Sequence, residues 1–143
     1  LEKTMSKTIE KLECPTNVRG ISRYENDNYF RPNKECPPNP WFVSTLWLAE
    51  YYVVKAKKFG DLKPAIEIFD WVCNHALPSG VLSEQVHPYT GEQLSVSPLT
   101  WSHAGFIIAI IKYLDKLEKL GLCKEGTCYF LRNKSNKKNS KKS

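Results

Sequence analysis

At 143 residues, with 41% hydrophobic and 25% charged side chains, the chain is sized for one globular domain and is too polar for a bundle of membrane spans. Its longest apolar run, 106–111, is far shorter than a span, and Leu1-Glu2-Lys3-Thr4-Met5-Ser6-Lys7 has no apolar signal-peptide core, so neither membrane insertion nor an export signal is expected. The net charge of +6 points to nucleic acid only until it is located: Arg132, Lys134, Lys137, Lys138, Lys141 and Lys142 hold the excess, and the rest of the chain balances 15 basic against 15 acidic residues. Segment 132–143, rich in Lys, Asn and Ser, is therefore expected to be a disordered, solvating tail rather than a nucleic-acid contact.

In chain order, residues 2–13 read as the end of a helix, and 15–38 as a long connection without regular structure, a kind of segment that is often functional in a compact domain. Asn39, a good N-cap, followed by Pro40 at the first helical position, predicts a helix over 39–59 before Gly60. Within it Trp41, Phe42, Val43, Leu46, Trp47, Leu48, Ala49, Tyr51, Tyr52, Val53 and Val54 cover nearly every face, so it needs neighbours on several sides. Asp61 is expected to cap a second helix to about Leu77, with Pro64 in its first turn and a one-sided stripe of Leu62, Ala65, Ile66, Phe69, Val72, Cys73 and Ala76. Cys73 reads there as an ordinary buried thiol. Residues 80–91 form a polar loop, and Ser97 with Pro98 opens a last helix through Leu120, stopped by Gly121, whose first half is again apolar on most faces.

The five cysteines, Cys14, Cys36, Cys73, Cys123 and Cys128, contain no CxxC pair and leave one over under full pairing. A reducing cytoplasm fits them best, although Cys123 and Cys128 are spaced to bridge in an oxidising compartment. His75, His87 and His103 have no metal-ligand spacing, no glycine-flanked serine elbow occurs, and no Gly-rich loop is present to cradle phosphate. No metal and no cofactor are expected.

Two many-sided helices separated by a one-sided one imply inner and outer layers, an all-α arrangement. Four helices do not surround both inner ones, so the chain either self-associates or holds part of a larger fold. Three clusters carry polar chemistry: Arg23-Tyr24-Glu25-Asn26-Asp27-Asn28-Tyr29, then Glu84-Gln85, then Thr100-Trp101-Ser102-His103. Guanidinium for hydroxyls, aromatic faces for stacking and a carboxylate to activate water suit a sugar-cleaving site; the same residue types also suit a helical domain with polar loops.

Arg23-Tyr24-Glu25-Asn26-Asp27-Asn28-Tyr29, Asn39-Pro40-Trp41-Phe42, Leu82-Ser83-Glu84-Gln85 and Leu99-Thr100-Trp101-Ser102, in this order and spacing, resemble the C-terminal motif series of the glucoamylases and related inverting α-glucosidases of glycoside hydrolase family fifteen. The version here is most similar to the prokaryotic branch, which also contains glucodextranases and trehalases. The resemblance covers about residues 19–120. It implies part of an (α/α)6 toroid, about four helices of an incomplete barrel, over 1–131, with 132–143 as tail. It implies Glu84 as the general base, Tyr29 as a phenol donor to it, Arg23 on the hydroxyls of the terminal sugar with Asp27 orienting it, Trp101 lining the pocket, and Trp41 and Tyr24 shaping it. No residue matches the family's general acid, which lies upstream of these motifs. The implied partners are an α-glucan or α-glucoside and either an N-terminal half of the same enzyme or a second copy; the alternative is a non-catalytic helical carbohydrate-binding or interaction protein.

Overall fold

The computed structural model describes residues 2–122. Four helices follow one another, α1 (Glu2–Leu12), α2 (Phe42–Lys55), α3 (Lys63–His75) and α4 (Thr100–Lys119), with one antiparallel ribbon of β1 (Gln85–Val86) and β2 (Gln93–Leu94) between the last two. The all-α class and the number and order of helices are as expected, and the arrangement is that of a partial toroid-like helical fold. The proposed tail and the Cys123 and Cys128 pair lie outside the described residues. Among the described residues no helix is long and apolar enough to cross a membrane.

The core forms where α2 packs against both α3 and α4. Phe42, Leu46, Ala49 and Val53 of α2 cluster with Leu62, Ala65, Phe69, Val72 and Ala109, together with Leu82 and Val86 of the loop between α3 and α4. Full burial of a side chain the size of Phe42 or Leu46 is worth about 1.5–3 kcal/mol each, which makes this seam the main source of stability. Phe69 adds edge-to-face contacts to Phe106 and Tyr113, with centroids 6.2 and 5.6 Å away. Ser102, Gly105 and Ala109 form a small-residue stripe on the buried face of α4. A Cβ on Gly105 would lie 3.4 Å from Leu46 Cδ1 and 3.8 Å from Val43 Cγ2, ordinary contact distances, so α4 meets α2 closely at this position. Helix α1 buries no side chain and is attached through its C-terminal end, where Leu12 O accepts Ser22 N–H at 2.9 Å and Glu13 bridges Ile21.

Helix starts differ from the sequence reading because tertiary hydrogen bonds take the capping groups. Helix α2 begins at Phe42 rather than after Asn39: Pro40 bridges Ser22 and gives its carbonyl to Val86 N–H at 3.0 Å, while the Asn39 amide turns to Phe30 O and Gln85. Asp61 does cap, but for the preceding turn, accepting the N–H groups of Lys57 and Lys58 at 2.9 and 3.2 Å; a 3-10 turn, Phe59–Leu62, then leads into α3. Helix α4 starts at Thr100 rather than Ser97, since Leu99 N–H is bonded to Leu82 O at 2.9 Å. Its end is as expected: Gly121 sits at φ +70° and the N–H groups of Gly121 and Leu122 return to Glu118 and Leu117 carbonyls, a Schellman closure.

One burial expectation is overturned. Cys73 is exposed, because α3 inserts a narrow stripe of Ala65, Phe69 and Val72 and leaves the position after Val72 outside. Within the described residues neither α2 nor α4 is covered all round: Trp47 and Val54 on the first, and Trp101, Ile107 and Ile108 on the second, are exposed. The shortage of covering helices that the apolar patterns implied is therefore present in the structure.

Candidate active site

Glu84 is held by its backbone before its side chain is considered. Its N–H donates to Val96 O at 3.0 Å, and its carbonyl accepts the N–H of Phe42, the first residue of α2, at 3.2 Å. The neighbouring Ser83 and Gln85 are fully buried, and Ser102 Oγ on α4 donates to Ser83 O at 2.7 Å. The loop is thus fastened to both inner helices, and Glu84 emerges half-buried between them.

Its side-chain hydrogen bonds from the described residues fall on a single oxygen. Ser95 Oγ donates to Oε2 at 2.5 Å and Gln85 Nε2 to the same atom at 3.2 Å. Two donors on Oε2 fix the plane of the carboxylate and leave Oε1 to meet a ligand. Gln85 is itself fixed: its Oε1 accepts from Asn39 Nδ2 at 2.8 Å, and the same nitrogen donates to Phe30 O at 3.0 Å. Ser95 and Phe30, at the two ends of this chain of bonds, have φ of 67° and 55°. Non-glycine residues held there cost on the order of 1–3 kcal/mol each, strain the surrounding bonds must offset. Tyr29, expected to donate to Glu84, instead lies against Phe30 and Trp41, with centroids 4.9 and 6.3 Å away.

The second cluster is organised by a buried carboxylate. Asp27, 2% exposed, accepts from Arg23 Nε and Nη2, both at 3.0 Å, and from Tyr29 N–H at 3.0 Å. Hydrogen bonding to Asp27 raises the basicity of Arg23 above its ordinary value. Both Asp27 oxygens are occupied by hydrogen bonds, which makes the carboxylate an orienting group for the guanidinium. The guanidinium lies 4.3 Å from the Trp41 ring centroid, 4.9 Å from Tyr24 and 5.4 Å from Tyr29, an aromatic cage open on one side, since Tyr24 and Tyr29 are exposed.

An isolated bridge between Trp41 and Gln85 joins the clusters. The structure therefore brings Arg23, Tyr24, Asp27, Tyr29 and Trp41 into mutual contact and ties Glu84 to them through the backbone. Trp101 stands apart in an edge-to-face pair with Trp47, centroids 5.8 Å apart and both rings 52% exposed, at the start of the helix that anchors Ser83. Trp41 Nε1 and Asn39 Oδ1 are buried with no hydrogen-bond partner in the structure. Such orphans ordinarily cost about 1–3 kcal/mol each, and nothing among the described residues explains them.

Ser95 and Trp47 are site neighbours the sequence did not single out, and Gln85 and Asn39 stood in its motifs without a role in the site. Gln85 was recognisable by adjacency; Ser95 was not, because only the β1 and β2 pairing, Gln85 with Leu94 and Val86 with Gln93, folds it back onto Glu84. A cavity of about 190 Å³ bordered by Ile9, Leu48, Tyr52 and Trp71 lies away from Glu84. Each histidine has a structural neighbour: His103 Nε2 accepts Leu82 N–H, His87 Nδ1 accepts Tyr89 and Thr90 N–H, and His75 stacks on Trp71. Among the described residues no group of three or more His, Cys, Asp and Glu side chains is placed to hold a metal ion.

Residues 63–111 match the model of the glycosyl hydrolases family 15. Over 120 residues the chain is 35% identical to a protein of Methanocaldococcus jannaschii described as an uncharacterized glycosyl hydrolase, a match covering 76% of this chain and 18% of that protein. The chain thus spans about a fifth of the length of the curated relative it matches. These similarities agree with the resemblance carried by the four motifs.

Proposed function

We propose, from the premise that the chain is a segment of the glycosyl hydrolase family 15 type, that it furnishes the base side of an inverting hydrolysis of terminal α-linked glucose. Glu84 takes a proton from water as the water oxygen bonds to the anomeric carbon. The glycosidic bond to the leaving oxygen breaks on the opposite face, and a general acid outside the described residues protonates that oxygen. Arg23, steadied by Asp27, binds hydroxyls of the terminal sugar; Trp101, Tyr24 and Tyr29 offer flat faces to its C–H surface, and Trp41 backs the guanidinium. The observation that carries this reading is the Glu84 carboxylate, half-buried and held at Oε2 by Ser95 and Gln85. Its substrate is an α-glucan or α-glucoside, and its partner is an N-terminal portion bearing the acid.

The test is glucose release from maltose and maltodextrin by the chain alone and with such a portion. Activity is expected only in the mixture, with the β-anomer formed first by polarimetry and a loss of about 10²–10⁴-fold in Glu84→Gln, the usual worth of general-base catalysis. Turnover by the isolated chain that survives Glu84→Gln refutes the proposal.

The exposed Trp47, Val54, Trp101, Ile107 and Ile108 favour a second reading, a non-catalytic helical module that binds carbohydrate or self-associates. A stable oligomer by light scattering that binds maltodextrin, and gives no turnover with any acid-side partner, would select it.

A further inference from the structure

Helix α1 buries no side chain, and between it, α2 and α3 lies the pocket of about 190 Å³ bordered by Ile9, Leu48, Tyr52 and Trp71. Gly20 lines it with backbone alone: a Cβ there would come within 2.8 Å of Trp71 Cζ2, so a glycine at φ +85° is what lets the chain close against the indole. Leu48 and Ile68 add aliphatic surface beside the two aromatic rings. An apolar cavity of about 150 Å³ holds a benzene ring, so this pocket has room for a single ring or a chain of a few carbons.

Charge decides which ligand class it suits. Glu13, Arg19 and Glu67 are the charged residues of the lining. Arg19 places Nε and Nη2 on one Glu13 oxygen, Oε1, at 3.1 and 2.7 Å, and Glu13 Oε2 accepts no hydrogen bond from the described residues. Lys63 does not line the pocket; it stands 3.8 Å from Glu67 Oε1, beyond hydrogen-bond reach, with its side chain 79% exposed. The lining thus carries one negative charge in excess and two carboxylates with acceptor capacity to spare. Their field reaches inside: burial first, and the charge of Glu13 next, hold the Tyr52 phenol above its ordinary value. An anion is repelled by such a pocket, and a cation with an apolar body gains both from the carboxylates and from the rings.

We propose that this pocket binds a small primary ammonium compound, with its apolar body beside Leu48, Ile68, Tyr52 and Trp71 and its N–H groups on the Glu13 and Glu67 carboxylates. The site is independent of the role given to Glu84. Titration of the isotope-labelled chain with benzylamine, followed by nuclear magnetic resonance, tests it. Benzylamine is expected to shift the Trp71 indole N–H and the Gly20 and Ile21 amides, and to bind about tenfold more tightly than benzyl alcohol, which has the same shape without the charge; benzoate should not bind. Glu67→Gln should remove most of the preference for the amine and leave the affinity for benzyl alcohol as it is. Ile9→Trp, on the helix that buries no side chain, should block both ligands while keeping the wild-type circular dichroism spectrum. Equal binding of amine and alcohol, a preference unchanged in Glu67→Gln, shifts that gather at Arg23 and Trp41 instead, or no shift at all would each overturn the proposal.

Discussion

The polar platform around Glu84 and the outer face of α2 and α4 both border α2, yet they are specified in different ways. On the platform, order comes from hydrogen bonds between residues distant in sequence: Asn39 to Gln85, Ser95 to Glu84, Ser102 to Ser83. Few of its groups are interchangeable, since each bond needs a donor and an acceptor at one place. On the outer face, Trp47, Val54, Ile107 and Ile108 are positioned by the helices they sit on and have no covering layer within the described residues. Composition there is tolerant, and what matters is area. The contrast predicts that substitutions on the platform act on stability and local order, whereas those on the outer face act on association.

Phe42 joins the platform to the core, with its ring in the core and its N–H on Glu84 O, so Phe42→Ala should have the largest effect. A loss of about 3–5 kcal/mol in urea unfolding is expected, and a loss below 1 kcal/mol would mean that the α2 seam is not the main core. Asn39→Ala comes next, at about 1–3 kcal/mol, because Gln85 Oε1 and Phe30 O both lose their donor. Hydrogen exchange should accelerate at 84–86 and stay unchanged in α3; uniform acceleration would erase the distinction between platform and core. Trp47→Gln should leave stability within about 0.5 kcal/mol, as for most exposed sites, while reducing any self-association seen by sedimentation. If stability fell instead, the outer face would count as core.

The smallest effect is expected at Asp61, whose carboxyl is held below its ordinary value by the backbone N–H of Lys57, with Lys58 as a further donor. Because the folded value is the lower one, the stability it adds is present above the ordinary carboxylate range of about 4 and is lost as pH falls through the folded value. Asp61→Ala should therefore lower Tm slightly at neutral pH and not at all in strong acid. A difference that persists in acid would mean that its contribution does not depend on charge.

Helices were legible because burial repeats along them: Leu62, Ala65, Phe69 and Val72 fall in one stripe whatever surrounds α3. The starts were not, since Asn39 and Ser97 are good caps locally, and their fates depended on Gln85 and Leu82, which local reasoning does not bring near. The residue types of the candidate site could be read from Arg23 to Tyr29 and at Glu84. The donor that meets Glu84 could not, because Ser95 reaches it only through the ribbon. Cys73 misled for a related reason: a stripe read at helical spacing gives the axis of a buried face and not its width.

The Trp47 and Trp101 pair also makes the outer face observable. Trp41 is buried under Arg23 and Trp71 is partly buried, while these two indoles stand half in solvent, so a soluble quencher such as iodide reaches the exposed pair most readily. Whatever seats itself on α2 and α4 must remove that accessible fraction, which lets the protein's own ultraviolet emission report whether the face is covered.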